Sequence, residues 1–160
     1  MSQYSRTLAL KSPEDTTRFA QELAKLLRPA DIVLLEGGIG AGKTHFARSL
    51  IQSLLDQQED VPSPTFTLVQ TYETQGFEIW HADLYRLTSP DEVIELGLID
   101  AFEYSVCLVE WPDRLADLRP TDALTLSFEL SPTEGERVLT LRCATPRWKS
   151  MIGDLLNDQS

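Results

Sequence analysis

With 160 residues, 42% of them hydrophobic and 24% charged, the chain has the size and composition of a globular domain, and residues 1–160 are expected to form a single unit. Its 25 acidic residues against 14 basic ones give a formal charge of −11, which argues against a surface built to neutralise a phosphate backbone, so no strong direct nucleic-acid binding is expected. No run approaches the ~20 apolar residues of a membrane span and the N-terminus carries no signal-peptide core, so no membrane association and a cytoplasmic location are expected.

Tyr4 to Leu10 alternates weakly and reads as an edge strand. Ser12, Pro13, Glu14 and Asp15 then supply an N-cap, a first-turn proline and early acids. Phe19, Leu23, Leu26 and Leu27 recur at helical spacing, so a helix is expected to about Arg28, with Pro29 helping to end it. Ile32 to Leu35 is a continuous apolar block suited to a central strand buried on both faces. From Thr44 to about Asp56, Phe46, Leu50, Ile51, Leu54 and Leu55 fall on one helical stripe. Pro62 and Pro64 forbid regular structure around Ser63, after which Phe66 to Glu73 and Phe77 to His81 read as a hairpin turning at Thr74, Gln75 and Gly76.

Ser89, Pro90, Asp91 and Glu92 repeat the helix-start pattern and Gly97 reads as the stop. Val106 to Val109 is a second compact apolar strand, terminated by Glu110. Ala123 to Leu130 and Val138 to Cys143 bracket a turn-rich segment as a second hairpin, and Trp148, Ile152, Leu155 and Leu156 suit a closing helix. Cys107 and Cys143 lie far apart in apolar runs, a pattern of buried reduced thiols rather than a zinc site or disulfide framework.

Between the first apolar strand and the Thr44 helix, Gly37, Gly38, Ile39, Gly40, Ala41, Gly42, Lys43 and Thr44 fit the pattern G-x-x-x-x-G-K-[ST]. Each fixed position has a chemical reason. Glycines permit backbone angles that point successive N–H groups inward at an anion, and the helix that follows adds its positive N-terminal end. Lys43 neutralises β- and γ-phosphates, and Thr44 offers a hydroxyl to magnesium. Hydrolysis also needs an acid on a neighbouring strand. Glu110, following a buried strand, is the best candidate and Asp83 the second; a surface carboxylate is the competing reading of each.

Four segments in this order, LEGGIGAGKTHFAR, VPSPTFTLVQTY, IWHADLYRL and ELGLIDAFEYSVCLVEWPDRL, resemble the TsaE (YjeE) ATPases. The resemblance is dense from Leu35 to Arg114 and thin in the C-terminal hairpin. It implies a P-loop ATPase that acts with the TsaB and TsaD proteins, which transfer threonylcarbamoyl onto adenosine 37 of tRNA, without itself being the transferase. Residue by residue it implies ATP phosphates on Lys43 and the amides of Gly38 to Gly42, magnesium on Thr44 and Glu110, and water or metal-shell orientation by Asp83. Thr65, in the Ser63 to Phe66 segment, would sense the γ-phosphate as part of a switch loop. Thr16 and Arg137 lie where the family closes over adenine. This chain departs from the family at Gly38, where an acid is usual, and at His45, where a second threonine is usual; His45 and His81 both read as structural, and Trp111 is assigned no chemistry.

A GTPase is disfavoured because the only asparagine is Asn157 and no N-K-x-D reader exists. The rival enzyme is a small-molecule kinase, whose arginine-rich lid is missing from ten arginines scattered between Arg6 and Arg147. A nucleotide serving only as a structural ligand for complex assembly stays open. The expected architecture is a three-layer α/β P-loop NTPase fold, with the strands ending at the phosphate loop and at Glu110 near the middle of a mixed central sheet and the hairpins adding antiparallel strands.

Overall fold

The computed structural model describes residues 3–55, 59–64 and 67–158. Seven strands, β1 (Tyr4–Leu10), β2 (Ile32–Glu36), β3 (Val69–Glu73), β4 (Glu78–Asp83), β5 (Val106–Glu110), β6 (Leu124–Leu130) and β7 (Arg137–Cys143), form one sheet in the order β1-β7-β6-β2-β5-β4-β3. Among the described residues five helices accompany it: α1 (Pro13–Ala24), α2 (Lys43–Leu54), α3 (Asp91–Glu95), α4 (Leu98–Ala101) and α5 (Pro146–Asp158), with a 3-10 segment at Pro112–Leu118. Strands β6, β2, β5 and β4 run parallel, while β1, β7 and β3 are antiparallel to their neighbours. Each hairpin therefore contributes its inner strand to the parallel centre and its outer strand to an antiparallel margin.

The side-chain alternation of β2 explains the three layers. Val33 and Leu35 face one cluster with Phe19 and Leu23 of α1, Phe46 and Leu50 of α2 and Ile152 of α5. Ile32 and Leu34 face the opposite cluster with Val93, Leu98 and Leu115. Burial on both sides is why this strand reads as an unbroken apolar run, and each such side chain contributes about 1.5–3 kcal/mol by leaving water.

Helix α1 stops at Ala24, short of the expected Arg28. The Leu26 and Leu27 amides bond the Leu23 and Ala24 carbonyls in tighter turns, and the Asp31 carboxylate takes the Arg28 amide at 2.9 Å. Leu27 is still buried, so the apolar spacing outlasted the helix. Strand β4 runs on to Asp83 because its ladder with β5 continues until Asp83 faces Glu110. Gly97 stops a helix as expected, following the Leu96 C-cap of α3 in a left-handed conformation at φ 82°, and it is also the junction from which α4 starts. The first hairpin's opening strand begins at Val69 rather than Phe66, and residues 65–66 lie outside the described residues. Both cysteines are buried and free, and burial pushes the Cys107 thiol up to about 12. Among the described residues no helix is long and apolar enough to cross a membrane.

Candidate functional site

The chain leaves β2 at Glu36 and enters α2 at Lys43 through the glycine-rich loop. Gly37 adopts φ 143°, and a Cβ there would meet the Phe128 carbonyl oxygen at 2.6 Å, so the first loop position admits only glycine. The Ala41 amide closes a turn onto the Gly38 carbonyl at 3.1 Å, and the Phe46 amide takes the Gly42 carbonyl at 3.0 Å as the first bond of α2. From the start of β7, Arg137 braces the loop: Nε donates to the Ala41 carbonyl at 3.1 Å and Nη2 to the Gly40 carbonyl at 3.2 Å. Arg137 thereby satisfies two loop carbonyls with a cation, offsetting negative dipole ends that would repel an anion.

Opposite the loop, the paired ends of β4 and β5 present Asp83 and Glu110. Glu110 is 2% exposed. Its carboxylate accepts the Thr44 hydroxyl at 2.9 and 3.2 Å through its two oxygens, and His81 Nε2 lies 2.7 Å from Oε2. Asp83 Oδ1 accepts the Tyr85 amide at 3.0 Å. The Lys43 ammonium donates to the Gly37 carbonyl at 2.5 Å and sits 3.4 Å above the Trp111 ring. Burial pulls the Lys43 pKa below the ordinary lysine range, against the opposing pull of Glu110, Asp83 and Asp113. Trp111 itself stands at φ 59°, a left-handed conformation for a non-glycine residue, and its ring contacts Tyr85 at 4.8 Å between centroids.

These groups line one cleft of about 490 Å³, bounded by Ile39, Gly40, Gly42, Lys43, Thr44, His45, Asp83, Tyr85, Glu110, Trp111 and Arg137. Of the residues singled out in the sequence, the structure thus gathers the lysine, the threonine, both acids and Arg137. Gly38 is an exposed loop position and Ala41 a buried one beside the cleft. Thr16 is not brought there: it is buried in α1, while its neighbour Thr17 contacts His45 Nε2 at 3.1 Å. Thr65 lies outside the described residues. Tyr85 and the bracing role of Arg137 were missed by the sequence reading, although Tyr85 follows Asp83 by two residues within the same short motif.

Among the described residues no group of three or more His, Cys, Asp or Glu side chains is placed to hold a metal ion. Thr44 and Glu110 nevertheless offer hard oxygen donors 2.9 Å apart. That set fits magnesium, which takes few protein ligands and completes its shell with phosphate and water.

A glycine loop between a buried parallel strand and a helix, facing a carboxylate on the adjacent parallel strand, defines a P-loop NTPase fold. The sequence model described as "Threonylcarbamoyl adenosine biosynthesis protein TsaE" matches residues 10–139. A tRNA threonylcarbamoyladenosine biosynthesis protein TsaE from Rickettsia bellii (strain RML369-C) is 44% identical over 121 residues, covering 76% of this chain and 84% of that protein. The Bacillus subtilis (strain 168) protein of the same name is 32% identical over 145 residues, covering 90% of this chain and 89% of its own. The crystal structure of Bacillus subtilis YdiB superposes with a TM-score of 0.82 at 26% identity, covering 100% of this chain and 99% of that one. The chain belongs to the TsaE family.

Proposed function

We propose that the chain is a magnesium-dependent ATPase, acting as one domain in threonylcarbamoyladenosine modification of tRNA alongside TsaB and TsaD, and not transferring the group itself. The observation that carries this reading is the meeting of the Thr44 hydroxyl with the buried Glu110 carboxylate at 2.9 Å, at the mouth of the glycine loop. A threonine beginning a helix and a carboxylate ending the neighbouring parallel strand form the pair that holds magnesium in P-loop enzymes. Family membership supplies the pathway.

In this reading the amides of the Gly38 to Gly42 segment bind the ATP phosphates and Lys43 leaves the Gly37 carbonyl to neutralise their charge. Thr44 and Glu110 would hold magnesium, which would supply positive charge to offset that of the phosphates during hydrolysis. Asp83, fixed by the Tyr85 amide, orients water at the strand end. Thr65 acts as the γ-phosphate sensor, and Arg137, which braces the loop from the start of β7 and lines the cleft, is the candidate for the adenine side. The acidic balance of the chain supports recruitment to tRNA through partner proteins rather than by direct contact.

The test is phosphate release from MgATP by the purified protein, alone and with TsaB and TsaD, with Lys43→Ala as control. Partner-stimulated release that falls by about 10²–10³ in the variant is the expected result. Phosphoryl transfer to a small acceptor, indifferent to the partners, would replace this reading with a kinase; nucleotide binding without any turnover would leave only an assembly ligand.

A further inference from the structure

His81 has no exposed surface, and a buried imidazole is unfavourable unless its nitrogens are bonded. One nitrogen is: Nε2 lies 2.7 Å from Glu110 Oε2. The other, Nδ1, has no hydrogen-bond partner among the described residues. A carboxylate oxygen is the acceptor in such a contact and the ring nitrogen Nε2 the donor, so the nitrogen left unpaired is Nδ1. The single polar contact of this ring is therefore spent on the carboxylate at the mouth of the phosphate loop.

Strand geometry explains how it gets there. His81 precedes Asp83 by two residues, so both side chains leave β4 on the same face of the sheet. His81 pairs with Leu108 and Asp83 with Glu110, which sets the imidazole diagonally behind the Glu110 carboxylate. Thr44 contacts both carboxylate oxygens, at 2.9 and 3.2 Å, and cannot by itself choose between them. The imidazole contacts Oε2 alone. That asymmetry fixes the rotation of the carboxylate and leaves Oε1 as the oxygen turned to the helix N-terminus.

We infer that His81 is a positioning residue that orients Glu110 for a divalent cation, deepening the proposed reading of Thr44 and Glu110 and resting on it. Partners behind a metal ligand raise affinity by holding the ligand in its binding orientation, and their loss typically weakens metal binding by about 10–100-fold.

Manganese binding to the nucleotide complex, followed by electron paramagnetic resonance, tests this without turnover. His81→Leu removes the donor; His81→Gln keeps an amide N–H at nearly the reach of Nε2. His81→Leu is expected to weaken manganese binding by about 10–100-fold while ADP binding in EDTA changes less than ~2-fold, and His81→Gln to recover most of the loss. His81→Met repeats the donor-free test if leucine does not fold. Wild-type manganese affinity in the donor-free variants overturns the inference, as does a glutamine variant no better than leucine, or an equal loss of metal-free ADP binding. A wild-type complex that takes up no manganese overturns the metal reading of Thr44 and Glu110 itself.

Discussion

Two glutamates end adjacent parallel strands, Glu36 on β2 and Glu110 on β5, and their surroundings differ in kind. Glu36 is neutralised from three directions: Arg119 at 2.8 Å, Arg142, and the Ser127 hydroxyl at 2.8 Å. Burial alone would raise its pKa, but these hydrogen bonds and the charges of Arg119 and Arg142 outweigh it and hold Glu36 below the ordinary glutamate value. Glu110 is more deeply buried, yet it meets a threonine hydroxyl and an imidazole instead of a guanidinium. A carboxylate already satisfied by arginines ties strands together. One bound by a hydroxyl and an imidazole, and coupled electrostatically to the Lys43 ammonium, faces the phosphate loop instead.

The widest separation between the two comes from removing each. Glu110→Gln is expected to lower ATP turnover by about 10²–10³-fold, with metal-free nucleotide binding kept, because the loss falls on the metal-assisted step. Steady-state phosphate release together with ADP binding in EDTA checks it; if turnover survives, Glu110 holds no essential metal. Asp83→Asn distinguishes the second acid: an equal loss of turnover with manganese binding intact separates water orientation from metal holding. Next in size is Gly37→Ala, beside Glu36. Its new Cβ would collide with the Phe128 backbone at 2.6 Å in a conformation that side chains rarely adopt, a strain of about 1–3 kcal/mol in thermal unfolding.

Glu36→Gln leaves Arg119 and Arg142 without their common carboxylate and is expected to lower stability by about 1–2 kcal/mol, discounted for the half-exposed site, with turnover nearly unchanged. A pH series reports the same group. Because its pKa is depressed in the fold, Glu36 contributes stability that is complete above the ordinary glutamate value of 4.5 and disappears as pH falls through its lower folded value. The wild-type and Glu36→Gln proteins should therefore differ in thermal midpoint at neutral pH and converge in acid. A constant gap across that window would show that the arginines do not act through charge.

Legibility followed the range of the interactions. The P-loop, the two buried strands and the amphipathic helices α1, α2 and α5 were readable because each is encoded in contiguous residues with a fixed period or spacing. Helix α1 was overextended since Leu27 belongs to the core but not to the helix, and periodicity does not tell these apart. Glu110 was readable as the acid ending an apolar strand. Its partner was not: His81 read as structural because its meaning depends on the β4–β5 register, a pairing that spans 29 residues of chain. The Arg137 brace, reaching back 96 residues to Ala41, left no local trace beyond the chance of a basic residue after a turn. Glu36 passed unnoticed for the same reason, since its arginines come from residues 119 and 142.

The smallest expected effect sharpens the comparison by adding a third acid to the same end of the sheet. The loop has glycine at position 38, and a Cβ built there meets nothing within 4 Å. Gly38→Asp should therefore fold normally, with a stability change within about 0.5 kcal/mol, since the position is exposed and the new side chain has room. Unlike Glu36 it would have no arginine, and unlike Glu110 no burial, so water and salt would screen it. Its repulsion of ATP phosphates should weaken metal-free binding by no more than about 3-fold, and less at higher ionic strength. Isothermal titration at two salt concentrations measures this. A loss beyond ten-fold would show that the loop already directs position 38 at the phosphates, whereas unchanged nucleotide binding with an altered response to TsaB and TsaD would assign the exposed acid to the partner face of the loop.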